Sequence, residues 1–313
     1  MKSSKRIKDN ELNKAISPIQ NIKSQHILKE IFNNVPKNIL LKIIKYNKKI
    51  QKRINIEFKD YKDYSEIEIE ITPVQHMEGN FINSPHKNMR NYYHIFSNDF
   101  EVELKRFCLK KTDRFQKIKI IIDYQVESLS NLFKDCKTIE SITFKRFNRK
   151  NINDMNCMFW GCSSLKKANL LNFKTDKVIN MRGMFRGCLS LKELNLSNFV
   201  TNNVNNMSCM FEGCSSLTKL IIPKFDTINV LDMNYMFYGC LSLEELDLSS
   251  FNIIGVNNLK GMFSGCKLLT RVIIPNFKIK KNSEMKDIVY NCPEIFKMQI
   301  REQNMEINKE VFK

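Results

Sequence analysis

No stretch of this 313-residue chain approaches the roughly 18 consecutive apolar residues that a membrane-crossing helix needs. The N-terminus, MKSSKRIKDNELNKAIS, is charged and lacks the apolar segment of a secretory signal. Position 2 is not glycine and the C-terminus has no Cys-a-a-X, so the myristoylation and prenylation signals are missing too. These absences lead us to expect a soluble, cytoplasmic protein without a membrane span. Histidine is scarce: the only four, His26, His76, His86 and His94, lie in the first third of the chain. No phosphate-binding Gly-x-x-x-x-Gly-Lys loop, no Gly-x-Ser-x-Gly elbow and no His-Glu-x-x-His helix occurs. The reading is therefore non-enzymatic, with no cofactor and no metal.

Charge is abundant and of one sign, with 51 Lys/Arg against 33 Asp/Glu and a net of +18. Residues 1–60 hold fifteen basic and five acidic residues, so over half of the excess sits in the first fifth of the chain. Such a segment is able to bind nucleic acid or acidic lipid. The basic residues form no stripe with interleaved aromatics, however, and this reading ranks behind the others. Ten cysteines in a chain without a secretory signal read as reduced thiols rather than a disulfide framework. Cys157/Cys162 and Cys209/Cys214 have four residues between them, which is not a zinc spacing.

The N-terminal third changes character twice. Residues 1–20 are polar, basic and aperiodic, and read as a disordered arm. In residues 21–55, Ile27, Leu28, Ile31, Phe32 and Val35 recur at helical spacing; Pro36 interrupts, and Leu40, Leu41, Ile43, Ile44 and Ile50 continue. Two amphipathic helices joined at Val35-Pro36 follow, a helical hairpin. The stretch ILKEIFNNVPKNILLKIIKYNKKIQ resembles an F-box, which implies an alternative function as substrate adaptor of a ubiquitin ligase. Residues 56–125 read as a β-rich region or cap. Ile67, Ile69 and Ile71 alternate with Glu66, Glu68 and Glu70 in a half-buried strand, with further strands expected at Tyr92–Phe96, Glu101–Leu109 and Lys117–Ile122.

What dominates the chain is a period. Cysteine falls at Cys136, Cys162, Cys188, Cys214, Cys240, Cys266 and Cys292, every 26 residues without a slip. A fixed period of this length marks stacked repeats. The consensus is MFxGCxSLxxLxLxxFxTxxVxxMxx, and its apolar positions form columns. One runs Phe147, Phe173, Phe199, Phe225, Phe251 and Phe277; another runs Leu165, Leu191, Leu217, Leu243, Leu269 and Ile295. A third is Leu170, Leu196, Ile222, Leu248, Ile274 and Ile300, and a fourth is Val178, Val204, Val230 and Val256, with Met181, Met207, Met233 and Met285 beside it. The L-x-L portion predicts a strand, with Leu194 and Leu196 inward and Glu193, Asn195 and Ser197 outward. Glycine before each cysteine predicts a turn. The Thr-x-x-Val-x-x-Met-x-x-Met-Phe arc predicts short helical turns. The expected fold is a repeat solenoid over residues 126–300, leucine-rich-repeat-like, with one short parallel strand and a helical or irregular arc per rung. A small α+β region precedes it and a C-terminal cap or tail, residues 301–313, follows.

These repeats resemble the BspA-like leucine-rich repeats. The resemblance implies adhesion or protein interaction, and for many family members a place at the cell surface. A second pattern has twice the period: Ser163 and Ser215 alternate with Leu189 and Leu241, while Pro223 and Pro275 stand where Ser197 and Ser249 do, so the duplicated unit reads as 52 residues. Outward strand residues alternate in charge, Lys167, Glu193, Lys219, Glu245 and Arg271, which suits rungs about 4.8 Å apart. The candidate contacts of a protein-interaction scaffold are these five with Asn169, Asn195, Ile221, Asp247 and Ile273. Ile221 and Ile273 are apolar where solvent is expected. The cysteines read as small apolar residues stacked in the core.

Overall fold

The computed structural model describes residues 22–33, 48–54, 66–83, 90, 92–98, 103–122, 126–147, 149, 151–274, 279 and 283–303. The arm of residues 1–20 and most of the F-box-like stretch lie outside the described residues, as do Pro275, Phe277 and the tail from 304. The chain divides into two units, Met1–Ser65 and Glu66–Lys313. The β-rich segment from Glu66 onward lies in the same unit as the repeats.

In the first unit, α1 (Gln25–Asn33) and α2 (Lys48–Arg53) are described. Ser24 opens α1, its Oγ accepting from the Ile27 N–H at 3.3 Å, which satisfies a donor that the helix start leaves orphaned. Arg53 Nη2 donates to the carbonyls of Ile22 (2.7 Å) and Lys23 (2.9 Å), tying the end of α2 to the start of α1. Leu28 and Ile50 are buried, whereas Ile27 and Ile31 are exposed.

The second unit opens with a five-stranded sheet, order β3-β5-β1-β6-β7. Its strands are β1 (Ile67–Pro73), β3 (Tyr93–Ser97), β5 (Ile118–Ile122), β6 (Ile139–Phe147) and β7 (Lys167–Asn169); the two-residue strands β2 (Gly79–Asn80) and β4 (Cys108–Leu109) pair apart from it. The strand expected at Glu101–Leu109 shortens to β4 plus a single bridge from Glu103 to Phe96. The Ile/Glu alternation of β1 sorts the two faces. Ile67, Ile69 and Ile71 are buried with Ile118, Ile120 and Ile122. On the other face Glu68 meets Lys119 at 3.0 Å and Glu70 meets Lys117 at 3.3 Å. Strand β6 joins sheet to repeats: it pairs antiparallel with β1 along its length and parallel with β7 over Ser141–Thr143. The first rung therefore has no open edge, as the end of a repeat stack requires.

From there each rung contributes a three-residue strand: β8 (Glu193–Asn195), β9 (Lys219–Ile221), β10 (Glu245–Asp247) and β11 (Arg271–Ile273). The stack closes on α3 (Glu294–Gln303), which runs across the expected boundary at 300. Phe296 packs edge-on against Phe263 at 5.2 Å, and Gln299 Nε2 donates to the Val272 carbonyl at 2.6 Å, covering the last strand. Helix formation here turns Ile295 outward to 63% exposure, so it leaves the leucine column in which the period had placed it.

The arc opposite the strands is not helical. In the rung around Cys162, the N–H groups of Met155, Cys157, Phe159 and Gly161 donate to carbonyls of the next rung, at Asn180, Arg182, Met184 and Arg186, over 2.7–3.0 Å. The alternate N–H groups, of Met158, Trp160 and Cys162, turn back to the residue three before. An α-helix would direct every bond within the rung. Positive φ at Cys157 (54°) and Gly161 (74°) makes the alternation possible. At Gly161 a Cβ would meet Asp135 Oδ1 at 2.2 Å, so the glycine answers to both conformation and space.

Candidate functional site

Two ladders run the length of the repeats, and they differ. On the arc side the ladder is continuous. Phe133, Phe159, Phe185, Phe211, Phe237 and Phe263 stack with centroids 5.4–5.9 Å apart and planes within 12° of parallel. Behind them each thiol is a donor: Cys162, Cys188, Cys214, Cys240, Cys266 and Cys292 Sγ reach the carbonyls of Phe133, Phe159, Phe185, Phe211, Phe237 and Phe263 at 2.9–3.2 Å. The column expected to be only apolar filler thus also occupies the phenylalanine carbonyls. All ten cysteines are free thiols. Burial raises the column's pKa values, that of Cys214 to about 12, so these thiols are not nucleophiles near neutrality. Thr175, Thr201 and Thr227 fasten the rungs again, donating to Val200, Asp226 and Asn252 carbonyls at 2.8–2.9 Å.

On the strand side the ladder comes in twos. β6 pairs with β7, β8 with β9 and β10 with β11, all parallel; β7–β8 and β9–β10 are not hydrogen-bonded strand pairs. The backbone thus repeats every 52 residues, as the alternating side chains do. Across β9, β10 and β11 the surface opens into a cleft of about 460 Å³ whose lining includes Lys219, Ile221, Glu245, Asp247, Arg271 and Ile273. Six of the ten candidate contacts meet there. Lys167, Asn169, Glu193 and Asn195 stand on the preceding rungs, all exposed.

Side-chain detail separates the ten. Of the alternating charges only Glu245 and Arg271 come within ion-pair distance among the described residues, at 3.4 Å with both side chains 67% exposed. Such a pair contributes little. Asn169, Asn195 and Asp247 close the strand ends: each Oδ1 accepts the backbone N–H two residues on, at Leu171 (3.3 Å), Ser197 (3.0 Å) and Ser249 (2.9 Å). Ile221 occupies the same column, but two residues on stands Pro223, which has no N–H to cap. The sequence repeats this at Ile273 and Pro275. Proline thereby frees the column for an apolar outward side chain, and Ile273 is 45% exposed.

A second concavity, which the sequence reading did not anticipate, lies on the arc side. It has a volume of about 670 Å³ and is lined by Arg182, Arg186, Glu212, Tyr235, Tyr238 and Tyr290, among others. Arg186 bonds Glu212 at 2.8 Å and lies over the Trp160 ring at 4.5 Å, with Lys134 also over that ring at 4.4 Å. These residues come chiefly from the variable position of MFxGC, which reads Lys134, Trp160, Arg186, Glu212, Tyr238, Ser264 and Tyr290. Variation within an otherwise repetitive motif was the available signal. Among the described residues, no group of three or more His, Cys, Asp or Glu is placed to hold a metal. Nor is any described helix long and apolar enough to cross a membrane.

The stacked 26-residue rungs define a repeat protein whose core is shared between neighbours. The family described as "Mycoplasma protein of unknown function, DUF285" matches residues 127–222 and 193–303, more than half of the chain, and the chain belongs to it. Comparison with curated proteins returns no match. Among solved structures, the T. pallidum leucine-rich repeat protein is similar at 16% identity, with 56% of this chain and 75% of that one covered and a TM-score of 0.31.

Proposed function

We propose that the repeats form a leucine-rich-repeat solenoid of the BspA-like kind, whose strand face is a non-enzymatic docking surface for a partner protein. The observation that carries this reading is the cleft across β9, β10 and β11, where Lys219, Ile221, Glu245, Asp247, Arg271 and Ile273 meet. Opposite charges there flank apolar side chains that Pro223 and Pro275 relieve of capping work. A surface of this kind recruits many shallow contacts at once. The double variant Lys219→Asp/Ile221→Asp tests it by affinity purification from native cells with mass spectrometry. Partners retained by the parent chain should drop at least tenfold while the chain stays folded. Undiminished capture would place the interface elsewhere.

A further inference from the structure

The arc-side concavity carries an inference independent of the strand face. Its polar groups are unevenly committed. Arg186 is held by Glu212 at 2.8 Å and by the Trp160 ring, and is not available to a ligand without breaking both contacts. Arg182 is exposed; its carbonyl accepts from the Cys157 N–H of the preceding rung, its own N–H donates to Asn180 Oδ1 within the rung, and its guanidinium forms no ion pair among the described residues. Tyr235 and Tyr238 meet edge to face at 5.5 Å and form an aromatic wall on the same concavity, and Tyr290 extends it with an exposed ring. An open guanidinium beside tyrosines is donor-rich and amphipathic. It suits a planar anion attached to an apolar or aromatic body. Arginine, tyrosine and tryptophan are also the residue types that dominate binding energy at protein interfaces.

We propose that this concavity binds an acidic peptide segment of a partner protein, with a carboxylate on Arg182 and a neighbouring side chain against Tyr235 and Tyr238. The volume of about 670 Å³ is in the range of ligand sites and holds a few residues rather than a folded domain. Nucleic acid is the weaker match. Single strands need a groove that is cationic along its course. Here Glu212 is engaged by Arg186 and Asp287 also lines the concavity, which leaves Arg182 as a single point of attachment for one carboxylate rather than a track for successive phosphates.

The test uses the full chain and three sets of fluorescent decapeptides, matched in Tyr and Leu content but rich in Glu, Gln or Lys. A ten-nucleotide thymidine strand is the fourth probe. The Glu set should bind at least tenfold tighter than the Gln and Lys sets and the oligonucleotide. Arg182→Glu and Tyr238→Ser should each weaken it at least tenfold, with circular dichroism and melting unchanged because both side chains are exposed. Lys219→Asp/Ile221→Asp should leave it intact, separating this site from the strand face. Equal binding of the three peptide sets, indifference to Arg182→Glu, or preference for the oligonucleotide would each overturn the proposal.

Discussion

The arc side and the strand side of the same rungs are stitched in opposite ways. Along the arc every rung bonds the next through backbone and thiol, without interruption from Phe133 to Cys292, and through stacked rings as far as Phe263. Along the strands the pairing skips every second junction. The difference teaches that stacking here does not depend on a continuous β-sheet. Cohesion resides in the arc, and this leaves the short strands and their cleft free to carry varied side chains.

The largest expected effect follows from breaking the continuous ladder in its middle. Phe211 is fully buried and stacked between Phe185 and Phe237 at 5.9 and 5.5 Å. Phe211→Ala should cost about 3–5 kcal/mol, the range for removing a buried ring. Urea unfolding measures it. A cost under about 1 kcal/mol, the scale of an ordinary surface change, would mean that the arc is not where cohesion lies.

Alkali probes the same ladder more gently. Burial raises the Cys136 and Cys214 thiols from an ordinary 9.0 to about 12. The folded state thus keeps protons that the unfolded chain releases. Stability is fully present below pH 9, and it falls as pH rises from there toward about 12. In that window each such thiol lowers stability by about 1.4 kcal/mol per pH unit. Urea midpoints should be level from pH 7 to 8.5 and fall steeply above 9, and replacing Cys214 by Ala should shallow the slope. A pH-independent midpoint up to 10.5 would show that the thiols are not held protonated.

How much of this was legible in the sequence depends on what each residue answers to. The columns were legible because a residue at fixed period meets its own kind in the next rung, and Leu194 and Leu196 are buried as alternation requires. The spacing of Val178, Met181 and Met184 at intervals of three predicts short helical turns within a helical or irregular arc, and only the alternate N–H groups make such turns. That spacing also suits turns that bond the next rung at every second residue, and only positive φ at positions such as Cys157 and Gly161 distinguishes the two. The arc-side concavity left only one signal, variation at the third position of MFxGC, because its residues come from several rungs and are unlike one another. Interruption of the strand ladder has one mark in the sequence, the 52-residue alternation that sets Lys219 and Ile221 of β9 against Glu245 and Asp247 of β10.

The smallest expected effect is the sharpest test of the strand side. Asn195 and Ile221 stand one rung apart in the same column of paired strands, Asn195 opposite Ile221. If the column's Asn and Asp are there to cap, Asn195→Ala should cost about 1 kcal/mol, the worth of a hydrogen bond to a backbone N–H that loses its partner. Ile221→Asn should restore nothing, because Pro223 offers no N–H to accept. Its cost should be about 1 kcal/mol, from the apolar packing of a half-buried side chain and not from a hydrogen bond. Partner capture through the cleft should fall as well, since the apolar contact is gone. At similar cost in stability, binding would then fall at only one of two neighbouring positions of one column. Should Asn195→Ala prove neutral, the column is not a capping column, and the apolar choice at Ile221 loses its explanation in Pro223.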